Sequence, residues 1–215
     1  MTIDPNLEMA QLWIGHLCHE LVNPVGALNN GIELIEDGEA GDLQQEALDL
    51  IALSGRVLAA RLRFFRLAYG RSGNAQDFSL GDARKAVVDY FATETSMTLD
   101  WGESAVPACV AGAAQLLMNL AVLGTSALPR GGIVSVTLSP APTHLAATIE
   151  ASGAPARLDV QVLRAANGTS QEPDYHNAHA LMCARLAANL GGRLDIAETD
   201  GLVRIAAALP LDQLQ

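Results

Sequence analysis

The chain is poor in positive charge and in cysteine, and each shortage excludes a class of function. Of its 215 residues, 13 are Lys or Arg and 24 are Asp or Glu, which gives a net charge of −11. A surface of that sign repels nucleic-acid phosphates and anionic lipid, so we expect neither nucleic acid nor a membrane as a partner. The cysteines are too few and too far apart for a disulfide framework: Cys18, Cys109 and Cys183. Because the N-terminal stretch also lacks the basic and apolar regions of a secretory signal, we expect a cytoplasmic protein with reduced thiols.

Long uncharged runs are scarce, with one exception between residues 105 and 123. That run is long enough to suggest a membrane span. It is dominated by Ala and Gly, lacks basic flanks, and contains Pro107, Gln115 and Asn119. These features favour a buried helix of a water-soluble domain.

The first third of the chain has the pattern of two long helices. Asp4-Pro5 predicts a helix start, and an apolar seam follows at spacings of four and seven: Leu17, Leu21, Leu28 and Ile35. Pro24 lies inside this pattern and predicts a kink. A second helix is predicted from about residue 43 to Tyr69, where Gly70 ends it. A lone antiparallel hairpin buries one stripe per helix, so we expect two hairpins to pair as a homodimeric four-helix bundle.

The rest of the chain has the pattern of a mixed sheet covered by helices. Ser79 and Asp82 predict a capped helix that reaches about Phe91. Further helices are predicted at 107–128, 157–166 and 177–190, and strands at 97–101, 133–138, 145–150, 193–197 and 202–209. We therefore expect an α+β protein, with a helical-hairpin domain over residues 1–73 and an α/β sandwich domain over residues 74–215.

The stretch from Leu17 to Val25 carries the reactive groups. It places His19 beside Glu20, with Asn23 four residues after the histidine and Pro24 five residues after it. Imidazole titrates near neutrality, so much of it is a neutral nucleophile at cytoplasmic pH. A carboxylate that accepts a hydrogen bond from the ring fixes its tautomer, and Glu20 is the candidate. Asn23 lies one helical turn beyond His19, on the same face of the helix.

These residues resemble the phosphoacceptor box of dimeric sensor histidine kinases, in which His-Glu-Leu is followed by a short polar residue and Pro. The second domain is similar to the ATP-binding domain of those kinases, the Bergerat fold, from Asn119-Leu120 through Ala127-Leu128-Pro129-Arg130-Gly131-Gly132. The family's nucleotide contacts are absent at the matching positions. These hold Leu123 in place of a Mg²⁺-binding Asn, Ala151 in place of the adenine-binding Asp, Pro155 in place of a turn Gly, and Ala178-His179-Ala180 in place of the lid glycines.

A histidine hairpin joined to a degenerate ATPase-like domain resembles the bacterial histidine phosphotransferases of the ChpT type, over nearly the whole chain. The resemblance implies a phosphotransferase that works through a phosphohistidine and does not use ATP. His19 would accept the phosphoryl group from an aspartyl phosphate on the receiver domain of a hybrid histidine kinase and pass it to the receiver domain of a response regulator. The implied site residues are His19, Glu20 and Asn23. The resemblance also implies that the chain holds no cofactor of its own, and Mg²⁺ is expected on the partner receiver.

A hairpin that turns near residue 40 places His19 level with about residue 60. Ala59 and Ala60 are small enough for close approach, so we predict that receivers dock across both helices at this level.

Two other functions stay open. In the first, the chain is a dimeric scaffold or regulator, derived from a kinase, whose His19 is never phosphorylated. In the second, it is an active histidine kinase with a divergent ATP site. A metal site is disfavoured, because neither His16 with His19 nor His176 with His179 and Cys183 offers four ligands.

Overall fold

A computed structural model of the chain describes residues 4–36, 44–70, 79–102 and 112–210. It confirms the predicted α+β class, with helices first and a five-stranded sheet after them. The elements, in chain order, are α1 (Pro5–Glu36), α2 (Gln44–Tyr69), α3 (Leu80–Phe91), β1 (Met97–Asp100), α4 (Ala113–Thr125), β2 (Gly132–Pro140), β3 (His144–Ser152), α5 (Val160–Ala166), α6 (Ala178–Asn189), β4 (Leu194–Thr199) and β5 (Leu202–Pro210).

Helices α1 and α2 pack along each other as the predicted antiparallel hairpin. Asp4 caps α1, because its Oδ1 accepts a hydrogen bond from the backbone N–H of Asn6 at 2.9 Å. The helix continues through Pro24 to Glu36. The two helices approach closely at Gly31, where an added Cβ would lie 2.8 Å from Cγ1 of Ile51. Any larger residue there would push the helices apart.

The sheet has the strand order β1-β2-β3-β5-β4, in which β1 runs parallel to β2 and the other neighbours are antiparallel. Side chains of β3 alternate between buried and half-buried, and Leu145, Ala147 and Ile149 point into the core. Helix α4 packs against β2, β3 and β5. Its Gly124 allows this approach, since an added Cβ would lie 3.1 Å from Cγ2 of Ile149.

Helix α4 is apolar around most of its circumference because other elements cover it on several sides. Besides the sheet it contacts α2, α3 and α6. This burial accounts for the part of the long uncharged run that lies in α4. Within the four described ranges, we find no helix with the length and hydropathy that crossing a bilayer requires.

Aromatic side chains are concentrated where the hairpin meets the rest of the fold. Only 4% of the residues are aromatic, yet Phe64 and Phe65 near the end of α2 lie against Tyr90 of α3, and Tyr69 stacks on Phe65. The Phe64 and Tyr90 ring centroids are 4.6 Å apart. The hairpin and the sandwich therefore share one continuous hydrophobic core.

Two helix boundaries differ from those predicted. The helix predicted to reach residue 128 ends at Thr125, because the N–H groups of Ser126, Ala127 and Leu128 bond three residues back, in a tight turn before Pro129. The helix predicted from residue 157 begins at Val160. Asp159 caps it from an extended conformation, since its Oδ1 accepts a hydrogen bond from the backbone N–H of Gln161 at 2.7 Å.

Some predictions fall on residues that are not described. They include the domain boundary between residues 73 and 74, and the first part of the helix predicted from residue 107.

Candidate functional site

Helix α1 presents His19 at the surface. His19, Cys18 and Asn23 are exposed, whereas Pro24 is buried against the hairpin. Among the residues that the structure describes, none forms a hydrogen bond with the His19 ring. The ring is therefore open to approach by another molecule.

Glu20 points towards α2 and the sandwich. Nη1 of Arg61 lies 3.1 Å from Oε2 of Glu20 and also donates to the backbone carbonyl of Glu20. Nη2 of the same arginine lies 3.0 Å from Oε1 of Glu94, in the segment that follows α3. The side chains of Arg61 and Glu20 are only 15% and 22% exposed. One guanidinium thus joins the His19 segment of α1 to α2 and to the sandwich.

The pairing of residue 20 with residue 61 agrees with the predicted hairpin level. Ala59 is exposed and Ala60 is half-buried at this height. Small side chains therefore flank the His19 segment on α2.

Tyr90 lies beneath this ion-pair cluster. Burial raises the pKa of the Tyr90 hydroxyl well above its usual range, and the carboxylates of Glu20 and Glu94 raise it further. The phenol is therefore neutral at physiological pH and adds no charge to the cluster.

A cavity of about 530 Å³ separates α1 from the sandwich. Trp13 and His16 line it on the α1 side, next to Glu20 and Arg61. The sandwich contributes residues of α4, of the segment leading into α6 and of α6 itself, among them Val122, Thr125, Tyr175, His176 and His179. Two lining residues, Ala178 and His179, stand where the resemblance places lid glycines of the kinases, so in this chain α1 forms the wall facing that position.

Asn119 connects three elements instead of facing this cavity as a free polar group. It is fully buried, and its Nδ2 donates to the carbonyl of Ala68 at 3.2 Å and to that of Gln115 at 2.8 Å. Its Oδ1 lies 3.2 Å from Nε2 of His179, which donates when that nitrogen carries the proton. The end of α2, helix α4 and helix α6 are thereby tied together.

Two more side chains support this joint between the hairpin and the sandwich. Nε2 of Gln115 donates to the carbonyls of Leu67 and Gly70, at 3.1 and 2.9 Å. The Trp13 ring of α1 meets the His179 ring edge-on, with centroids 5.5 Å apart. The polar and aromatic groups of α4 and α6 therefore bind the hairpin.

The two histidines at this joint are held neutral. Burial, with a smaller contribution from the neighbouring His16, lowers the pKa of His179 from 6.5 to about 3. Burial also lowers the pKa of His16, which Glu20 partly offsets and His19 reinforces. At neutral pH neither ring places a positive charge inside the joint.

The positions aligned with the kinase nucleotide ligands carry apolar side chains in the core. Leu123 and Ala151 are each 1% exposed. Neither side chain has an atom that binds a cation or an adenine amino group. Within the described ranges, no group of three or more His, Cys, Asp or Glu side chains is arranged to hold a metal ion.

The structure brings two of the three predicted site residues to the same face of α1. His19 and Asn23 share the exposed face of α1, as predicted, while the Glu20 carboxylate is engaged by Arg61 on an adjacent face. Sequence reasoning missed Arg61 and Glu94. The position of Arg61 could have predicted an ion pair, because it lies on the packed face of α2, where a charged residue needs a partner. No feature of the sequence around Glu94 predicts its role.

Comparison with known proteins bears on the whole chain. Residues 80–201 match the family model for the histidine phosphotransferase C-terminal domain. The protein phosphotransferase ChpT of Brucella abortus (strain 2308) is 33% identical over 196 residues, which are 90% of this chain and 91% of that protein. A solved bacterial phosphotransferase has a TM-score of 0.76 at 30% identity, over 96% of this chain and 98% of its own. The Acinetobacter baumannii histidine kinase AdeS, at 13% identity and a TM-score of 0.51 over 91% of this chain and 98% of its own, shares the fold alone.

Proposed function

Because the chain belongs to the histidine phosphotransferase family of phosphorelay proteins, we propose that it receives and passes on the phosphoryl group at His19. The observation that carries this proposal is the exposed His19 ring on α1, free of partners among the described residues. The donor would be an aspartyl phosphate on the receiver domain of a hybrid histidine kinase. The acceptor would be an aspartate on the receiver domain of a response regulator.

The transfer is a direct exchange between nitrogen and oxygen. A neutral ring nitrogen of His19 attacks the phosphorus, and the N–P bond forms as the P–O bond to the donor aspartate breaks. The electron pair of that P–O bond returns to the aspartate carboxylate. The reverse exchange at the second receiver regenerates His19. The charge on the moving group would be neutralised by the receiver's own Mg²⁺ and Lys, so this chain needs no cofactor.

Glu20 and Asn23 would assist the ring. Positive charge develops on the imidazole as the N–P bond forms, and a carboxylate that accepts the second ring N–H stabilises it. Oε2 of Glu20 is paired with Arg61, and Oε1 makes no ion pair with a described residue. The exposed amide of Asn23, one turn along α1, would donate to a phosphoryl oxygen.

We propose further that the chain does not use ATP. Three features support this: Leu123 and Ala151 replace polar ligands, Asn119 is occupied with Ala68 and His179, and α1 walls the cavity. A bound ATP–Mg²⁺ needs both a metal ligand and an adenine acceptor.

An unpaired apolar stripe on α1 supports a homodimer. Its residues recur at spacings of seven and eleven, which keeps them on one line along a helix, and their exposed fractions are 54% for Leu7, 61% for Ile14, 42% for Val25 and 37% for Ile32. A second hairpin laid against this line would complete a four-helix bundle. We expect Val25→Glu to shift the protein to monomer in sedimentation velocity. Val88→Glu in α3, at a residue of similar exposure (39%), should stay dimeric.

The function is tested by following labelled phosphate. Incubation with a labelled phospho-receiver of the hybrid kinase should give acid-labile label on the wild type and on His144→Gln, but none on His19→Gln. Labelled ATP and Mg²⁺ without a receiver should leave the protein unlabelled. Labelling by ATP alone would identify a kinase, and a failure of every phospho-receiver to label the wild type would identify a scaffold.

A further inference from the structure

We propose that Arg61 is a positioning residue for phosphotransfer, which acts on His19 through the residue beside it. The proposal rests on the proposed function and extends it to a residue of the second helix. Arg61 contacts Glu20 twice, once at the carboxylate and once at the backbone carbonyl. It therefore fixes both the side chain and the main chain of the residue that follows His19.

The backbone contact has a specific cause in the sequence. In an α-helix the carbonyl of Glu20 accepts a hydrogen bond from the N–H four residues later, and that residue is Pro24, which has no N–H. A buried carbonyl without a donor is costly. Nη1 of Arg61 supplies the missing donor. Pro24 thus leaves the Glu20 carbonyl without its helical donor, and Arg61 of α2 supplies a donor in its place.

The side-chain contact sets the charge near the reacting ring. One guanidinium lies between Glu20 and Glu94, so the three groups together carry one negative charge. The arriving phosphoryl group brings up to about two more. Without Arg61 the two carboxylates would face each other unbalanced, and Glu20 would lose the contact that holds its Oε2. The carboxylate of the residue next to His19 would then lose its fixed orientation.

In the orientation that makes these contacts, one N–H of the guanidinium has no acceptor among the described residues. Its Nε–H is buried and finds no acceptor within the described ranges. Unsatisfied buried donors are uncommon in proteins, and a functional geometry is one reason for them. The orientation of the guanidinium is therefore set by the three contacts of its Nη atoms.

The test measures single-turnover transfer from a phosphorylated receiver domain to the full chain. For Arg61→Gln we expect a maximal rate on the order of tenfold lower, since the assisting carboxylate is misplaced. The receiver concentration at half-maximal rate should change by less than about twofold, because the Arg61 side chain is only 15% exposed and is turned towards Glu20 and Glu94. Arg61→Lys should recover part of the rate, because one ammonium keeps the charge but cannot reach three acceptors.

Two controls separate this role from a general loss of structure. Arg63→Gln removes an arginine of the same helix that is 52% exposed and pairs with Asp89 at 3.6 Å, and it should transfer at the wild-type rate. Glu94→Gln removes only the outer partner of Arg61 and should stay within about twofold of wild type. If Arg61→Gln folds poorly, Arg61→Lys keeps the test available, since its rate should lie below that of the wild type and of Arg63→Gln.

A double-mutant cycle tests whether Arg61 acts through Glu20. If it does, Glu20→Gln with Arg61→Gln should be no slower than the slower single variant. Multiplied effects in the double variant, wild-type transfer by Arg61→Gln, or an equal loss in Glu94→Gln would each overturn the proposal. These outcomes differ from a failure of the proposed function, in which the wild type itself takes no label from the receiver.

Discussion

Replacing Asn119 by Ala should weaken the joint between the hairpin and the sandwich. The change removes the buried partners of the Ala68 carbonyl and of Nε2 of His179. The carbonyl of Gln115 keeps its backbone bond within α4. A buried polar group left without a partner costs about 1–3 kcal/mol, so two such groups should lower the free energy of unfolding by about 3 kcal/mol.

This loss is large enough to measure by thermal unfolding. For a chain of this size, 1 kcal/mol shifts the unfolding temperature by about 2–4 °C, so Asn119→Ala should unfold about 9 °C below wild type in circular dichroism. Gln115→Ala is a matched control on the same helix. Its amide also binds the hairpin, but it is half-buried and water can replace its bonds, so a shift of about 3 °C is expected.

A nucleotide-binding role for Asn119 predicts a different pattern. The variant would then keep its stability and lose affinity for an ATP analogue. An Asn119→Ala protein that unfolds within about 2 °C of wild type would refute the reasoning, because its three hydrogen bonds would then contribute nothing.

Three further predictions concern other parts of the chain. Because burial lowers the pKa of His179 from 6.5 to about 3, the unfolded chain binds a proton that the folded chain excludes. The free energy of unfolding should therefore fall from pH 6.5 towards pH 3, by up to about 1.4 kcal/mol per unit, and His179→Gln should flatten that slope in urea titrations; an equal slope would exclude His179 as its source. Gly31→Ala should lower the free energy of unfolding by about 1–3 kcal/mol through its clash with Ile51, whereas Gly15→Ala, with open space around it, should raise it by about 0.5–1 kcal/mol; equal shifts would contradict the packing at Gly31. Ala59→Trp should slow transfer from a phospho-receiver while leaving the unfolding temperature unchanged, and undiminished transfer would exclude docking at that level.

Local signals in the sequence were enough to predict most of the helices and strands. The capping box of Ser79 and Asp82 opens α3 where it was predicted, with both reciprocal bonds present. Gly70 follows the end of α2, and its N–H bonds to the carbonyl of Arg66. Such features depend on residues within a few positions of each other. A single sequence can therefore reveal them.

The joint and the ion-pair cluster could not be predicted in the same way. The sequence shows that ligands for a nucleotide are missing at Leu123 and Ala151. It does not show that Asn119 binds Ala68, 51 residues away, or that Arg61 reaches Glu20, 41 residues away. The first partner follows from how the hairpin packs against the sandwich, and the second from which faces α1 and α2 turn towards each other, neither of which local periodicity determines.

The most direct test of the central claim follows one phosphoryl group through a reconstituted relay. A labelled donor receiver, this chain and an unlabelled acceptor receiver are mixed without ATP, and the label on each is followed with time. The account predicts label that appears transiently on His19 and then accumulates on the acceptor, with no transfer when His19→Gln replaces the wild type. Transfer between the receivers that proceeds equally well with His19→Gln would contradict it.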